Sequence, residues 1–147
     1  MRVVLDTSVI VAASRSRQGA SFELLRHLDS GAFEPALSIG LYLEWQDALA
    51  RPENRPVGIS ADAAAGFLRY LAARSILQPI YFRWRPFLPD PDDDLVLELA
   101  VAAGSQSIVT HNYQDFRGCE HFGLIVLNPA AIQATASLRR EAAAGRR

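Results

Sequence analysis

Short apolar runs alternate along the chain with segments of helical periodicity, and this alternation predicts the fold. Runs rich in branched residues indicate buried strands, and apolar residues at spacings of three and four indicate amphipathic helices. The predicted strands are 2–5, 33–37, 76–80, 107–110 and 124–127. The predicted helices are 9–13, 20–31, 39–49, 61–74, 92–103 and 129–140. Such alternation is typical of a mostly parallel, Rossmann-like sheet covered by helices on both faces, a three-layer α/β/α sandwich.

The chain has the length and composition of one globular domain. It has 147 residues, of which 50% are hydrophobic and 21% charged, which suits a single packed core. We expect the domain to span 1–138, followed by a loosely held basic tail at 139–147. The segment 51–58 is a polar break between helices, and 81–91 is an aromatic loop with three prolines.

The single cysteine and the first residues indicate a reducing compartment. Cys119 has no second cysteine for an internal disulfide and cannot build a zinc site alone. An acid already at the sixth position argues against a cleavable signal sequence. No apolar run approaches the ~20 residues of a membrane helix, so we predict a cytoplasmic protein without a membrane span.

The charge is nearly balanced, but every basic side chain is arginine. The formal net charge is -1, and lysine is absent. Without lysine, Schiff-base enzymes, P-loop nucleotide binders and response-regulator receivers are excluded. A near-neutral chain also does not coat nucleic acid nonspecifically, although a local basic rim remains open.

Acidic residues collect where an α/β sheet binds ligands, outside the carboxyl ends of its strands. Asp6 ends the first strand, Glu44 lies on the third helix, and Asp115 follows the fourth strand. Three consecutive acids, Asp92, Asp93 and Asp94, begin the fifth helix. Two like charges 4 Å apart repel by ~4 kcal/mol at an effective dielectric of 20. Carboxylates that share one crevice therefore favour a hard dication, Mg²⁺ or Mn²⁺.

Each acid also has a structural interpretation. Asp6 could cap the helix that follows it, and Asp115 could end a turn. Acids in the first turn of a helix oppose its dipole, although three in a row exceed what capping needs. On the third helix, Glu44 borders the apolar stripe, whereas Asp47 points to solvent and could pair with Arg51.

The remaining polar residues show no second catalytic pattern. His27 and His121 are expected on the surface, and His111 near the crevice but not as a catalytic base. Cys119 has no histidine beside it and is a poor nucleophile candidate. No serine lies in a G-x-S-x-G elbow.

The order of these features resembles the PIN domain, the ribonuclease fold of toxins in bacterial toxin–antitoxin pairs. Five segments, spread from Met1 to about Ala136, are similar to the family's motifs. They are VVLDTSVI at 3–10, SIGLYLEW at 38–45, DPDDDLVLELAVAAG at 90–104, IVTHNYQDF at 108–116 and LNP at 127–129. None is specific alone, but their order over nearly the whole chain is.

The resemblance implies a metal-dependent endoribonuclease that cleaves single-stranded RNA by in-line attack of a metal-activated water. The implied catalytic residues are Asp6, Glu44, Asp93 and Asp115. The same four, together with Asp94, are the implied ligands of Mg²⁺ or Mn²⁺. Spacing from Ala100 and Gly104 favours Asp93 over Asp94. Many members carry an acid where this chain has Asn112, so the fourth carboxylate must come from Asp115.

Substrate contacts and partners complete the expectation. Hydroxyl and amide groups could position water or phosphate at Thr7, Ser8, Thr110 and Asn112. Arginines near aromatic residues can neutralise phosphate and stack bases, and the candidates for RNA binding are Arg15, Arg17, Arg83 and Arg85. A solvated loop with Trp84 in the core or in a dimer contact is an equal alternative. By resemblance the partners are an antitoxin and a second copy of the chain.

Two other functions share parts of this pattern. A catalytically silent PIN-like module that binds a partner or RNA is the alternative, motivated by Asn112 and the near-neutral charge. A phosphatase of the haloacid-dehalogenase type is set aside, because Ser8 stands where its second aspartate belongs and there is no lysine.

Overall fold

The computed structural model describes residues 1–81 and 86–145, and for 136–140 it describes the backbone alone. Within these residues, five parallel strands form one sheet in the order β3-β2-β1-β4-β5. The strands are β1 Arg2–Leu5, β2 Glu34–Leu37, β3 Ile76–Leu77, β4 Ser107–Val109 and β5 Ile125–Leu127. The helices are α1 Thr7–Arg15, α2 Ala20–Arg26, α3 Ile39–Ala50, α4 Ala61–Ala73, α5 Pro91–Ala102 and α6 Pro129–Ala144. The predicted three-layer α/β/α fold is confirmed.

The strand order places a crevice beside β1. From β1 the chain moves outward to β2 and β3, and then returns past β1 to form β4 and β5. Because such crossovers are right-handed, this reversal puts α5 on the face opposite the helices that precede it. The carboxyl ends of β1 and β4 are therefore the switch point at which α/β sheets bind ligands.

The core is built from the strands and from one stripe of each helix. Val3, Val4 and Leu5 of β1 are buried, as the branched run predicts. Leu41 and Trp45 of α3 are completely buried, and each such side chain stabilises the fold by about 1.5–3 kcal/mol. On α5 every residue from 96 to 100 is buried, so this helix packs deeply against the sheet.

Side-chain caps fix where several helices begin. Ser38 and Ser60 accept hydrogen bonds from the backbone N–H groups of Leu41 and Ala63, each at 3.1 Å. Asn128 caps α6 in the same way, and Asp90 caps α5 by accepting from the N–H of Asp92 at 2.9 Å.

The structure differs most from the predicted elements at α1, β3, α2 and α6. α1 runs from Thr7 to Arg15, two residues longer at each end than predicted. β3 ends at Leu77 rather than at 80, because Pro79 has no N–H for a sheet ladder. α2 ends at Arg26, and a separate 3₁₀ turn fills Leu28–Ser30. α6 continues to Ala144 instead of ending at 139–140, since arginine, glutamate and alanine all favour helix. None of the described helices is long and apolar enough to cross a bilayer.

Candidate active site

Asp6 lies at the carboxyl end of β1, at the switch point, and its side chain is 6% exposed. Its backbone N–H donates to the carbonyl of Val109 at 2.9 Å, so the β1–β4 ladder continues to this residue. Asp6 occupies the N-cap position of α1, but its side chain makes no capping hydrogen bond. The alternative role of Asp6 as a helix cap is therefore wrong.

Two hydroxyl groups bind the Asp6 carboxylate instead. Ser8 Oγ and Thr110 Oγ1 each donate to Asp6 Oδ2 at 2.8 Å. Ser8 lies in the first turn of α1, and Thr110 follows β4, so the two hydroxyls come from neighbouring strand ends. We call them the Ser8–Thr110 hydroxyl pair.

Glu44 lies on α3 beside the apolar stripe and is half-buried, as predicted. Burial raises the pKa of its carboxyl group to about 7, and the charges of Asp92 and Asp6 add to the effect. Its Oε2 atom is buried without a hydrogen-bond partner among the described residues. By contrast, Asp47 is exposed and pairs with Arg51 at 3.1 Å, which confirms the predicted difference between the two acids.

Asp93 and Asp94 occupy the first turn of α5 but have different surroundings. Burial raises the pKa of Asp93 to about 7, with further contributions from the charges of Asp6, Asp90 and Asp115. Asp94 is buried, and its Oδ1 accepts hydrogen bonds from the N–H groups of Leu88 at 3.0 Å and Phe87 at 3.4 Å. Asp93 therefore belongs to the acidic cluster, whereas Asp94 holds the preceding loop.

The loop held by Asp94 also packs against the segment between β4 and β5. The rings of Phe87 and Phe122 meet edge to face, with centroids 5.0 Å apart. Gly118 adopts a φ of +94°, and a Cβ atom there would lie 3.0 Å from the Phe87 ring. The positive φ favours glycine at this position, and a Cβ atom there would require the Phe87 ring to shift by a few tenths of an ångström.

Asp115 and Asn112 lie beyond β4 and are exposed. Asp115 is in a 3₁₀ turn, Tyr113–Phe116, close enough to Asp93 for its charge to raise the pKa of that residue. The backbone N–H of Asn112 donates to Thr110 Oγ1 at 3.0 Å. The structure therefore brings the charges of Asp6, Glu44, Asp93 and Asp115 to one end of the sheet.

The donor set of this cluster fits a hard dication. Within 1–81 and 86–145, no three His, Cys, Asp or Glu side chains converge closely enough to chelate an ion as they stand. Four buried side-chain polar atoms of the described residues have no hydrogen-bond partner, and two of them, Thr7 Oγ1 and Glu44 Oε2, belong to predicted site residues. A buried carboxylate oxygen without a partner, near other carboxylates, has the chemistry that a hard dication prefers.

The predicted RNA-binding arginines are only partly within the described residues. Arg15 ends α1, Arg17 follows it, and both are exposed. Arg83 and Arg85, together with Trp84, lie outside the described residues.

Sequence reasoning missed two features of the site. Asp90, which was given no part in the site, contributes charge to the cluster, and of the charged neighbours of Glu44 it is Asp92 that raises its pKa most; the run of acids at 90–94 was the available signal. His111 Nε2 lies 2.6 Å from Ser21 Oγ of α2, and nothing in the sequence pattern indicated this contact.

Cys119 remains a poor nucleophile candidate, and His27 and His121 reach the surface of the domain. Burial raises the pKa of the Cys119 thiol to about 11, so the thiol is neutral at pH 7 and unreactive. His121 is exposed, as expected, and His27 is partly exposed and lies 3.4 Å from Glu23.

Comparison with known proteins agrees with this description. A family model described as the PIN domain matches residues 2–114. Among solved structures, the chain is similar to one described as VapBC2 from Rickettsia felis bound to a DNA fragment from their promoter. The TM-score is 0.62 at 17% sequence identity, over 87% of this chain and 98% of the other. None of the curated proteins matches the chain.

Proposed function

The chain belongs to the PIN-domain family, and on this premise we propose that it is a metal-dependent endoribonuclease that cleaves single-stranded RNA. The observation that carries the proposal is a cluster of carboxylates without a cationic partner in the described part of the chain. Glu44 Oε2 is buried and unpartnered, and the charges of Asp6 and Asp93 act on the same carboxyl group. Such an arrangement is unfavourable until a cation binds.

Asp6, Glu44, Asp93 and Asp115 would hold Mg²⁺ or Mn²⁺. A bound dication supplies charge stabilisation at the phosphoryl group and activates water for in-line attack. In the free chain Glu44, with a pKa of about 7, carries a proton part of the time near neutral pH and releases it when its carboxylate becomes a ligand. The exposed Arg15 and Arg17 are available to contact phosphate.

The test uses the purified chain and single-stranded RNA, with Mg²⁺ or Mn²⁺ and then with excess EDTA. We expect cleavage that requires the metal and leaves 5′-phosphate and 3′-hydroxyl ends. Asp6→Asn should remove the cleavage while the circular dichroism spectrum and melting temperature stay close to those of the wild type. Calorimetry with Mn²⁺ distinguishes the nuclease from the alternative, a catalytically silent module, because the silent module would bind the ion in the millimolar range or not at all.

We further propose that the chain is the toxin of a toxin–antitoxin pair. Its structural neighbour is described as an assembly on promoter DNA, which supports a protein partner for this fold. The antitoxin would bind as a protein inhibitor over the acidic cluster, and the toxin would form a homodimer in the cytoplasm. Copurification with the product of the adjacent reading frame, loss of RNA cleavage in that complex, and the mass of the free chain in solution test these points.

A further inference from the structure

The Ser8–Thr110 hydroxyl pair has no hydrogen left for a substrate. Each hydroxyl has one hydrogen to donate, and each lies 2.8 Å from Asp6 Oδ2, the shortest acceptor distance of both. The two hydroxyl oxygens also lie 3.3 Å from each other, so a hydrogen that leaves Asp6 still has a partner within the pair. The hydroxyl oxygens are also engaged, because the backbone N–H of His111 donates to Ser8 Oγ at 3.1 Å and that of Asn112 donates to Thr110 Oγ1 at 3.0 Å. The pair is therefore a closed hydrogen-bond unit.

This hydrogen-bonded unit fixes the Asp6 carboxylate and the backbone segment that leads to Asp115. With two donors on Oδ2, the Asp6 carboxylate is held in one orientation, and its other oxygen, Oδ1, receives no hydrogen bond from the described residues. The same hydroxyls fix the backbone at His111 and Asn112. From there the Tyr113–Phe116 turn begins, since the N–H of Asp115 donates to the carbonyl of Asn112 at 3.2 Å.

The side chain of His111 links this hydrogen-bonded unit to α2. Ser21 is 1% exposed, and its Oγ lies 2.6 Å from Nε2 of His111. The ring of His111 thus ties the segment after β4 to a helix that carries none of the acids of the cluster.

We propose that Ser8 and Thr110 are positioning residues of the nuclease, which act through Asp6 and not through contact with RNA. The inference rests on the proposed function, because it assumes that Asp6 is a metal ligand. It revises the sequence expectation that these hydroxyls position water or phosphate. Groups that hold a metal ligand in place typically change metal affinity or activity by 10–100-fold when they are removed.

The experiment measures Mn²⁺ affinity by calorimetry, and kcat and KM for single-stranded RNA, in the full chain. The variants are Ser8→Ala, Thr110→Val, the double variant and Thr110→Ser. Two controls remove a hydroxyl elsewhere: Ser75→Ala and Thr135→Val take away groups that donate only to helix carbonyls, of Leu71 and Ala131. Circular dichroism and melting temperature confirm that each variant is folded.

We expect the double variant to lose about 10- to 100-fold in Mn²⁺ affinity and in kcat. The KM for RNA should stay within about twofold. Each single variant should lose less, because the other hydroxyl still donates to the same oxygen. Thr110→Ser should restore both Mn²⁺ affinity and kcat, and the controls should behave as the wild type.

Three results would overturn the proposal. The first is a folded double variant that binds Mn²⁺ as tightly as the wild type. The second is a loss confined to KM, which would assign the hydroxyls to substrate binding. The third is Thr110→Ser with the same loss as Thr110→Val, which would mean that packing rather than the hydroxyl matters.

The Mn²⁺ measurement keeps this proposal separate from the nuclease proposal. If the wild type binds Mn²⁺ through Asp6 but cleaves no RNA, the nuclease proposal fails, and the loss of affinity in the double variant still supports the positioning role. If the wild type binds no Mn²⁺, the positioning proposal fails as well.

Discussion

The carboxylates at the end of the sheet and those on the outer surface of the domain are the same chemical group in opposite surroundings. On the surface, Asp29 lies 2.6 Å from Arg74, and Asp47 lies 3.1 Å from Arg51. The hydrogen bond from Arg74 lowers the pKa of Asp29, and one from Tyr70 lowers it further. At the sheet end, burial and neighbouring acids raise the pKa values of Glu44 and Asp93 to about 7.

Arginine is therefore available in this chain, but within the described residues it pairs with the surface acids and not with Glu44 or Asp93. A group of buried like charges opposes folding, and local departures from the rules of stability mark functional sites. The comparison teaches that the position of an acid relative to arginine, more than the number of acids, distinguishes binding groups from stabilising ones.

The largest effect should come from removing a charge at the sheet end. Asp93→Asn keeps the shape of the side chain and relieves repulsion, so the metal-free chain should be at least as stable as the wild type. RNA cleavage should fall at least about 100-fold, because a ligand matters no less than the groups that support it. Initial rates at saturating Mn²⁺, together with melting temperatures, test both parts. Cleavage at the wild-type rate would remove Asp93 from the site.

Substitution of the neighbouring Asp94 should have the opposite effect, a loss of stability with little change in Mn²⁺ affinity. Asp94→Ala leaves two backbone N–H groups without their acceptor, so we expect a loss of about 1–3 kcal/mol in the free energy of unfolding. Urea denaturation measures this loss. Asp94→Asn retains an acceptor oxygen and should recover most of the stability, with Mn²⁺ affinity within about threefold of the wild type. A large loss of Mn²⁺ affinity in Asp94→Asn would instead make Asp94 a ligand.

The pH dependence of stability should reveal the raised pKa of Glu44. Below about pH 4.5 its carboxyl group is protonated in both states. As the pH rises to about 7, the unfolded chain releases this proton while the folded chain retains it, so the metal-free protein loses stability over this interval. We expect a loss on the order of 1 kcal/mol. Urea midpoints between pH 5 and 8 measure it, and Glu44→Gln should reduce the slope but not abolish it, because the raised pKa of Asp93 acts over the same interval. An unchanged slope in that variant would contradict the assignment.

The smallest effect should come from the surface. Asp47 lies on the same helix as Glu44, but Asp47→Asn breaks only an exposed ion pair, worth at most about 0.5 kcal/mol. Urea midpoints should shift slightly, and the effect should shrink in high salt. RNA cleavage should be unchanged. A loss of cleavage comparable to that of Asp93→Asn would remove the distinction between surface and site acids.

The sequence was sufficient for the sheet and for the general position of the site. Short branched runs that end in Asp6 and Thr110 predicted strands, and parallel pairing of adjacent strands then brings these two residues together. The helical spacing on α3 separated Glu44 from Asp47 correctly, because burial on an amphipathic helix follows directly from angle.

The rest depends on contacts between distant segments. Asp93 and Asp94 differ by one helical step, and what decides between their roles is the loop at Phe87 and Leu88, whose amides bind only Asp94. Likewise, the bond between Ser21 and His111 joins residues 90 positions apart. No local pattern encodes either contact.

The glycine at position 118 has a consequence for how the site could be tuned from a distance. A methyl group there would press on the Phe87 ring, and the amide of Phe87 is bound to the carboxylate of Asp94 in the first turn of α5. Displacement of that ring would therefore disturb Asp94, which directly follows Asp93 in the first turn of α5. A substitution at position 118 would thus change the surroundings of the acidic cluster without adding a charge or touching any of its carboxylates.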